Sequence, residues 1–379
     1  MFSLARAVFP VLATLTALNA QTLTYSFQVV AQTGTSIDGN TITNFTQPAL
    51  LDDSGDVVFA AATSAGQGLF TTDRAIVKTG DTIAGKQLTF ITSPSLNQAG
   101  EVAFLGGFSG GSGIFTPSRL LVQTGDAIDG ATIFNFYSGI SYNAGGSVAF
   151  EAATGTGYPT GTADFLTSSQ GSSLLISTGQ SVQDKTLSGI GTPVLNDDGR
   201  VGFRGEFLNN ANPNDTGVIT IDTAGDSTPD LLAESGKCVG HKKIQVFGYP
   251  AKILSDGSAV TTASFNGGSG IFKIAPKGSG ASVAIAKSGD VIGGLTLTQI
   301  GLVAVNSNAD TAFFARFAGG QGIFTPDGVI VKMGDQIGLN TVTAILLNST
   351  AYNSSGAVAF TVQLDDGSKA IVLGTPNSL

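Results

Sequence analysis

The residues with the greatest chemical potential in this sequence lie in one short segment, "GKCVGHKK", which runs from Gly236 to Lys243. It contains the single Cys and the single His of the chain, Cys238 and His241, together with three lysines. A thiol and an imidazole three positions apart form a possible nucleophile–base pair or a possible pair of metal ligands. Neither residue has a second partner in the sequence, so the competing interpretation is a variable, basic surface loop.

Carboxylates supply the second candidate chemistry. Four linkers of the type "TGD-x-I-x-G" place aspartates at equivalent positions: Asp81, Asp126, Asp290 and Asp335. Oxygen ligands of this kind suit cations. Equivalent positions of a repeat lie far apart, however, and we therefore expect each Asp to cap its own turn. The segment "DTAGDSTPD" from Asp222 lacks the spacing of a calcium loop and is interpreted as a solvated turn.

Composition excludes several classes of protein. The chain has 379 residues, of which 42% are hydrophobic and 12% are charged, and its net charge is −9. Nucleic-acid binders carry a basic stripe, which is lacking here. A single Cys excludes a disulfide framework and a cysteine-based zinc site, and we expect no cofactor. The abundance of Ser, Thr, Gly, Val, Ile and Phe is typical of β-proteins.

The first 20 residues, "MFSLARAVFPVLATLTALNA", read as a secretory signal peptide. Arg6 is the positive n-region, Ala7–Leu18 is the apolar h-region, and Gln21 would begin the mature protein. The alternative is a buried strand or helix. No other run approaches the ~18 apolar residues of a membrane span. We therefore expect a secreted, extracellular monomer without membrane attachment, with possible glycosylation at the sequons Asn44, Asn214, Asn348 and Asn353.

A repeat dominates the rest of the chain. Segments such as "NQAGEVAF" end in an aromatic position that recurs seven times, with Thr261 as the fifth member and the following phenylalanines as the others: Phe59, Phe104, Phe150, Phe203, Phe313 and Phe360. The spacings are 45, 46, 53, 58, 52 and 47 residues. Self-similarity at such a period indicates a solenoid, a propeller or an array.

Each repeat holds four short segments, A to D, rich in β-branched and aromatic residues and bounded by Gly, Asn or Asp, which predicts strands. Four antiparallel strands per unit match a propeller blade. The seventh unit ends after strand C, at "KAIVLG", whereas "SFQVVAQTG", from Ser26 to Gly34, is a D-like strand without A, B or C partners. We therefore predict an all-β fold, a seven-bladed β-propeller over residues 21–379, closed by an N-terminal strand that completes the last blade.

The recurring residues have structural explanations. In Asn-x-x-Gly, Asn bonds its own backbone and Gly accepts positive φ, so the motif forms the A–B turn. The repeats "NQAGEVAF", "NAGGSVAF", "NSNADTAF" and "NSSGAVAF", with "GSGIFT", "GQGIFT" and the "TGD" linkers, resemble a group of secreted, mostly bacterial repeat proteins with N-x-x-G-x-x-x-A-F units. The resemblance covers about residues 22 to 379 and implies fold and export, without an activity. Unit 5, with Leu254 and Thr261, departs most from the pattern.

Irregularity is concentrated in one sector. The B–C loops of units 3 and 4 are expanded, and strand alternation places them on the same face as "GKCVGHKK". Because function tends to reside in loops on a rigid scaffold, we expect a ligand site over blades 3 to 5. The residues expected to line it are Tyr158, Asn209, Asn212, Asp215, Lys237, His241 and Lys242. The alternative is a set of tolerated insertions.

Three functions remain open at this level. The first is a secreted binding module for a glycan, a cell-wall polymer or a protein, although the chain has no Trp and only six Tyr for sugar stacking. The second is a secreted hydrolase or lyase at the channel mouth, although no triad or metal cluster is legible. The third is a structural extracellular protein without a small ligand.

Overall fold

The computed structural model describes residues 24–209, 215–225 and 227–377, and every regular element in these ranges is a β-strand. The strands form seven separate antiparallel sheets, one for each repeat. The chain is therefore a seven-bladed β-propeller, as the period of the repeat predicts. The proposed signal peptide, the sequon at Asn214 and the site candidate Asn212 lie outside the described residues.

The first strand, β1 (Tyr25–Gln32), belongs to the last blade, and the other blades follow in chain order. Blade 1 contains β2 (Ser36–Ile37), β3 (Asn40–Phe45), β4 (Leu50–Leu51), β5 (Val57–Thr63), β6 (Gly66–Phe70) and β7 (Ala75–Lys78). Blade 2 contains β8 (Thr82–Ile83), β9 (Lys86–Leu96), β10 (Val102–Phe108), β11 (Gly111–Thr116) and β12 (Arg119–Gln123). Blade 3 contains β13 (Ala127–Ile128), β14 (Ala131–Tyr142), β15 (Val148–Thr154), β16 (Gly161–Ser168) and β17 (Gly171–Ser177).

Blade 4 contains β18 (Ser181–Val182), β19 (Lys185–Ile190), β20 (Val194–Leu195), β21 (Arg200–Phe207), β22 (Thr216–Asp222) and β23 (Asp230–Glu234). Blade 5 contains β24 (Cys238–Val239), β25 (Lys242–Ile253), β26 (Ala259–Phe265), β27 (Gly268–Ile274) and β28 (Val283–Lys287). Blade 6 contains β29 (Val291–Ile292), β30 (Leu295–Val305), β31 (Thr311–Phe317), β32 (Gly320–Thr325) and β33 (Gly328–Lys332). Blade 7 contains β34 (Gln336–Ile337), β35 (Asn340–Tyr352), β36 (Val358–Leu364), β37 (Lys369–Pro376) and β1.

Each blade has one strand more than the four that the sequence predicts. The additional strand is only two residues long and comes from the D-to-A linker, which folds back on the start of strand A. In blade 2, Thr82 pairs with Gln87 and Ile83 with Lys86. The turn between them has positive φ at Ala84 and Gly85, as a two-residue hairpin requires. Strand A is interrupted in blades 1 and 4, which gives these blades a sixth strand.

The ring closes through its two chain ends. Strand β1 pairs antiparallel with β37, with Val29 opposite Val372 and Ala31 opposite Ile371, and Val30 lies in a bulge between them. The N-terminal strand therefore supplies strand D of blade 7, as predicted. Closure by hydrogen bonding leaves no gap between the first and last blades at which a further strand could add.

The repeated phenylalanines form the hydrophobic core between neighbouring sheets. All six are fully buried, and those with an aromatic partner on strand C stack on it, as Phe104 does on Phe115 with ring centroids 5.8 Å apart. The Phe59 cluster also includes Ala359 and Ile371 of blade 7. Burial of a Phe side chain stabilises by about 1.5–3 kcal/mol, so each aromatic residue holds two blades together.

The motif asparagines link successive blades. The Oδ1 atom of Asn97 accepts hydrogen bonds from the backbone N–H groups of Ala99 and Glu101, as expected for its turn. Its Nδ2 atom also donates to the carbonyl of Asn143 in the next blade, at 3.0 Å. The same donation continues from Asn143 to Asn196, Asn196 to Leu254, Asn306 to Asn353 and Asn353 to Asp52. We call this set of side chains the asparagine belt.

Blades 1 and 5 interrupt the belt, because they carry Asp52 and Leu254 at the asparagine position. Belt membership also bears on glycosylation. Asn353 is 2% exposed and its amide nitrogen already donates to a carbonyl, so this sequon is inaccessible in the folded protein. Among the described residues, no helix is long and apolar enough to cross a membrane.

Candidate functional site

A central cavity of about 670 Å³ opens among the A–B turns and is lined by residues from all seven blades. The second half of each strand A forms its wall, which makes A the innermost strand of the blade. Several strands A carry a bulge at this point: Ser93 there has φ of 49° and Gly139 has φ of 114°. Bulges change the direction of a strand and of its side chains, so the wall is irregular where the cavity lies.

Neutral hydrogen-bonding groups predominate in this cavity. Representative lining residues are Ser93, Gln98, Ser141, Thr192, Asn348 and Thr350. The charged residues in the lining are Asp197, Asp198 and Lys252. A cavity with many hydroxyl and amide groups and few charges suits a polar, uncharged ligand more than an ion.

Tyr249 is the most exposed aromatic residue of the cavity wall, at 55%. Its ring packs against Gly191 of blade 4, where a Cβ atom would lie only 2.2 Å from Cε1 of the tyrosine. The guanidinium carbon of Arg204 lies 5.3 Å from the ring centroid, within the range of a cation–π contact. A glycine and an arginine therefore position the ring while much of it stays open to the cavity.

Lys252 occupies the place where blade 5 interrupts the asparagine belt. Because Leu254 has no amide, the contact with blade 6 is made by Nζ of Lys252, 3.5 Å from the carbonyl oxygen of Val305. Burial lowers the pKa of Lys252, and the carboxylates of Asp197 and Asp53 oppose that shift. The residue thus brings a part-buried amine into the cavity wall.

Two carboxyl groups lie directly behind this wall, between blades 3 and 4. Glu151 and Asp164 are opposite each other on adjacent strands, so their side chains project to the same face. Burial raises the pKa of Glu151 to about 7, with a lowering contribution from a hydrogen bond to Thr192 and a raising contribution from Glu206. Burial, followed by the charge of Glu151, raises the pKa of Asp164 well above its ordinary value.

The site predicted from the sequence lies elsewhere, at the rim between blades 4 and 5. Lys185 binds Asp215 at 2.9 Å and Glu234 at 3.0 Å, and Lys237 approaches Glu234 at 3.4 Å. Asn209 donates to Asp215 at 2.9 Å. Burial acts to raise the pKa of Asp215, but these hydrogen bonds and the Lys185 charge leave it lowered. Asn209, Asp215 and Lys237 are thus brought together, in an ion-pair network organised by Lys185.

The remaining predicted residues do not join this network through any reported contact. Tyr158 is 69% exposed on the B–C loop of blade 3. His241 has φ of 63° in the two-residue turn before strand A of blade 5, and Lys242 lies over the ring of Phe265. A pocket of about 420 Å³ beside Lys185, Lys237 and the exposed Cys238 is the concavity of this rim.

The linker aspartates cap their own turns, as expected. The backbone N–H of Lys78 donates to Asp81 at 2.8 Å, and the same contact recurs at Asp126, Asp290 and Asp335. Within the described part of the chain, no group of three or more His, Cys, Asp or Glu is arranged to hold a metal ion.

The sequence of this propeller matches the model of a protein family over residues 21–374. The chain belongs to DUF7453, a family of unknown function. No curated protein sequence matches this DUF7453 member significantly.

Solved structures resemble the DUF7453 propeller at low sequence identity. Prolyl oligopeptidase B from Galerina marginata matches with a TM-score of 0.52 and 8% identity, over 84% of this chain and 47% of the other. A puromycin-hydrolyzing peptidase from Mycobacterium tuberculosis matches with a TM-score of 0.50 and 12% identity, over 93% of this chain and 55% of the other. The chain spans about half the length of these peptidases, and the likeness shows the fold alone.

The sequence contained signals for the cavity of this DUF7453 protein that the rim hypothesis did not use. Unit 5 was identified as the most divergent repeat, and its Leu254 marks the belt interruption that Lys252 fills. Asp164 stands beside the C-strand aromatic position, where the other repeats carry aliphatic residues. Both departures lie in strands and turns, whereas the rim hypothesis followed loop length.

Proposed function

We propose that this chain is an exported propeller that binds a neutral, hydroxyl-rich ligand, such as an oligosaccharide, in its central cavity. The observation that carries the proposal is the wall of hydroxyl and amide side chains around the half-open ring of Tyr249. Such groups form hydrogen bonds with sugar hydroxyls, and an aromatic face packs on the apolar face of a sugar ring.

The dimensions of the cavity support this proposal. Its volume, about 670 Å³, falls among the pockets of about 300–1,000 Å³ that bind small ligands. Tyr249 supplies the stacking surface that the absence of Trp left in doubt. The rim site over blades 3 to 5 remains a competing proposal for the same class of ligand, and export rests on the proposed signal peptide.

Glycan-array screening followed by calorimetry with the best glycan tests the proposal. Tyr249→Ala should weaken binding about tenfold, because an aromatic contact contributes about 0.5–1.5 kcal/mol beyond burial. The matched control is Tyr158→Ala, which removes an exposed tyrosine from the rim loop and should bind like the wild type. The reverse result would move the site to the rim, and silence of the wild type on every glycan would reject the proposal.

An enzyme at the same cavity is the second candidate. The observation that favours it is Lys252, since an amine with a lowered pKa is a better nucleophile near neutral pH. A panel of hydrolase and lyase substrates, assayed with wild type and Lys252→Met, would support this candidate if activity is found and the variant loses it. Silence in both the glycan and the substrate screens would leave a structural extracellular protein.

A further inference from the structure

Asp164 occupies a position that is aliphatic in every other blade. The residues paired at this point of strand C are Leu69, Ile114, Val218, Ile271, Ile323 and Ile371, and all are fully buried. Asp164 is equally buried, and neither carboxyl oxygen has a hydrogen-bond partner in the described structure. Burial of an unpaired polar group costs several kcal/mol, so packing does not explain this residue.

The occupant that best satisfies this carboxyl group is a proton shared with its neighbour. Glu151 lies opposite Asp164, and two adjacent carboxyl groups in a poorly solvated place cannot both be ionised without a large cost. A protonated Asp164 donates a hydrogen bond to an ionised Glu151, whereas at lower pH both groups are neutral. The pair therefore has two states that differ by one charge.

Two contacts connect this pair with the cavity wall. The Thr192 hydroxyl donates to the carbonyl of Ser138 at 3.3 Å and also lies within hydrogen-bonding reach of Glu151. It has a single proton to donate, so ionisation of Glu151 competes with Ser138 for it. Both Thr192 and Ser138 line the cavity.

The second connection runs through an arginine of blade 4. Glu206, whose charge acts on Glu151, binds Nη2 of Arg204 at 2.5 Å, and Arg204 lies over the ring of Tyr249. The Nε atom of Arg204 is buried without a hydrogen-bond partner in the described residues. A new negative charge on Glu151 attracts this guanidinium and changes its position against the tyrosine ring.

We propose that Glu151 and Asp164 form a proton-binding pair that switches the cavity wall at Thr192, Arg204 and Tyr249 between two arrangements. The charged groups that face the pair from blade 4 are Arg204 and Glu206. The neighbouring segments 171–177 and 189–194 carry no ionisable side chain, and strand A of blade 3 contributes only the phenols of Tyr137 and Tyr142. The switch would regulate the site of the proposed function, but it is tested without a ligand, so that either can fail alone.

The experiment follows the aromatic carbon resonances of ¹³C-tyrosine-labelled protein, in which Tyr249 is assigned by its loss in Tyr249→Phe. The Tyr249 resonance should shift with a midpoint near the titration of Glu151, between about pH 5 and about pH 9. In Glu151→Gln the resonance should stay constant across this range. The matched control is Glu101→Gln, which removes a part-buried glutamate that accepts from Tyr142 and should leave the shift intact.

A second variant, Asp164→Leu, installs the residue type of the other blades and should alter the midpoint while the protein remains folded. A constant Tyr249 resonance in the wild type, or an unchanged transition in Glu151→Gln, would overturn the inference. Loss of the shift in Glu101→Gln would also overturn it, because the proton would then be bound elsewhere.

Discussion

The side-chain amide of Asn143 donates a hydrogen bond, 3.1 Å long, to the backbone carbonyl of Asn196, the residue at the same position one blade further on. One side chain therefore caps its own turn and also links two sheets that share no backbone hydrogen bonds. This geometry explains why asparagine rather than another turn residue recurs, since serine or aspartate supplies the cap without a donor of the same reach.

The first prediction concerns this belt. Asn143→Ala should lower the free energy of unfolding by about 1–3 kcal/mol, because it removes the turn cap and leaves a buried carbonyl unpaired. Asn308→Ala is the control, since this exposed asparagine donates to Ser354 of the next blade at the surface and its loss should cost under about 0.5 kcal/mol. Equal losses in urea denaturation would mean that the belt contributes nothing beyond surface hydrogen bonding.

The second prediction concerns ring closure. In a Cys238→Ser background, Ser26→Cys with Thr375→Cys should form a disulfide, because these exposed residues are directly paired between β1 and β37. The bond closes a very long loop and should stabilise the fold by about 4 kcal/mol. Ser26→Cys with Asn377→Cys, one pairing step out of register, should cross-link poorly. Mass spectrometry under non-reducing conditions distinguishes the two, and equal cross-linking would contradict the register.

The third prediction is the pH dependence of stability. The folded pKa of Glu151, about 7, is raised above its ordinary value of 4.5, so the folded state binds more protons than the unfolded state between these values. The contribution of Glu151 is therefore complete below about pH 4.5 and is lost as pH rises towards about 7. After allowance for partial solvent exposure, it amounts to about 2 kcal/mol.

The double variant Glu151→Gln with Asp164→Asn should remove this slope, because neither amide titrates. Denaturation at a series of pH values compares the two proteins directly, and acids elsewhere affect both equally. Parallel stability curves for wild type and variant would show that the pair does not bind the proton.

The fourth prediction separates the two lysines of the rim. Lys185→Met should cost about 3 kcal/mol, because it leaves Asp215, which is 5% exposed, without its cation. Lys237→Met should change stability by under about 0.5 kcal/mol, since its side chain is 71% exposed. Thermal unfolding measures both, and a larger effect at Lys237 would reverse the assignment of Lys185 as the centre of the network.

The repeat could be interpreted from sequence because its signal is local. A buried phenylalanine at the end of each motif and a tight turn before it are properties of eight consecutive residues, and their recurrence counts the blades. The linker strands were missed because a two-residue hairpin has almost no hydrophobic pattern. His241 illustrates the same limit, since its positive φ belongs to that turn and not to a binding loop.

The sequence by itself determined the class of fold, the number of blades and the partnership of the chain ends, because these follow from the count and order of strand patterns. Only the tertiary structure decided that seven distant strands A meet around one cavity, that Lys252 bridges the belt at blade 5, and that Glu151 faces Asp164 behind Thr192. The reason is physical: burial and charge at each of these positions are set by side chains that are remote in the sequence, and no local pattern records which of them converge.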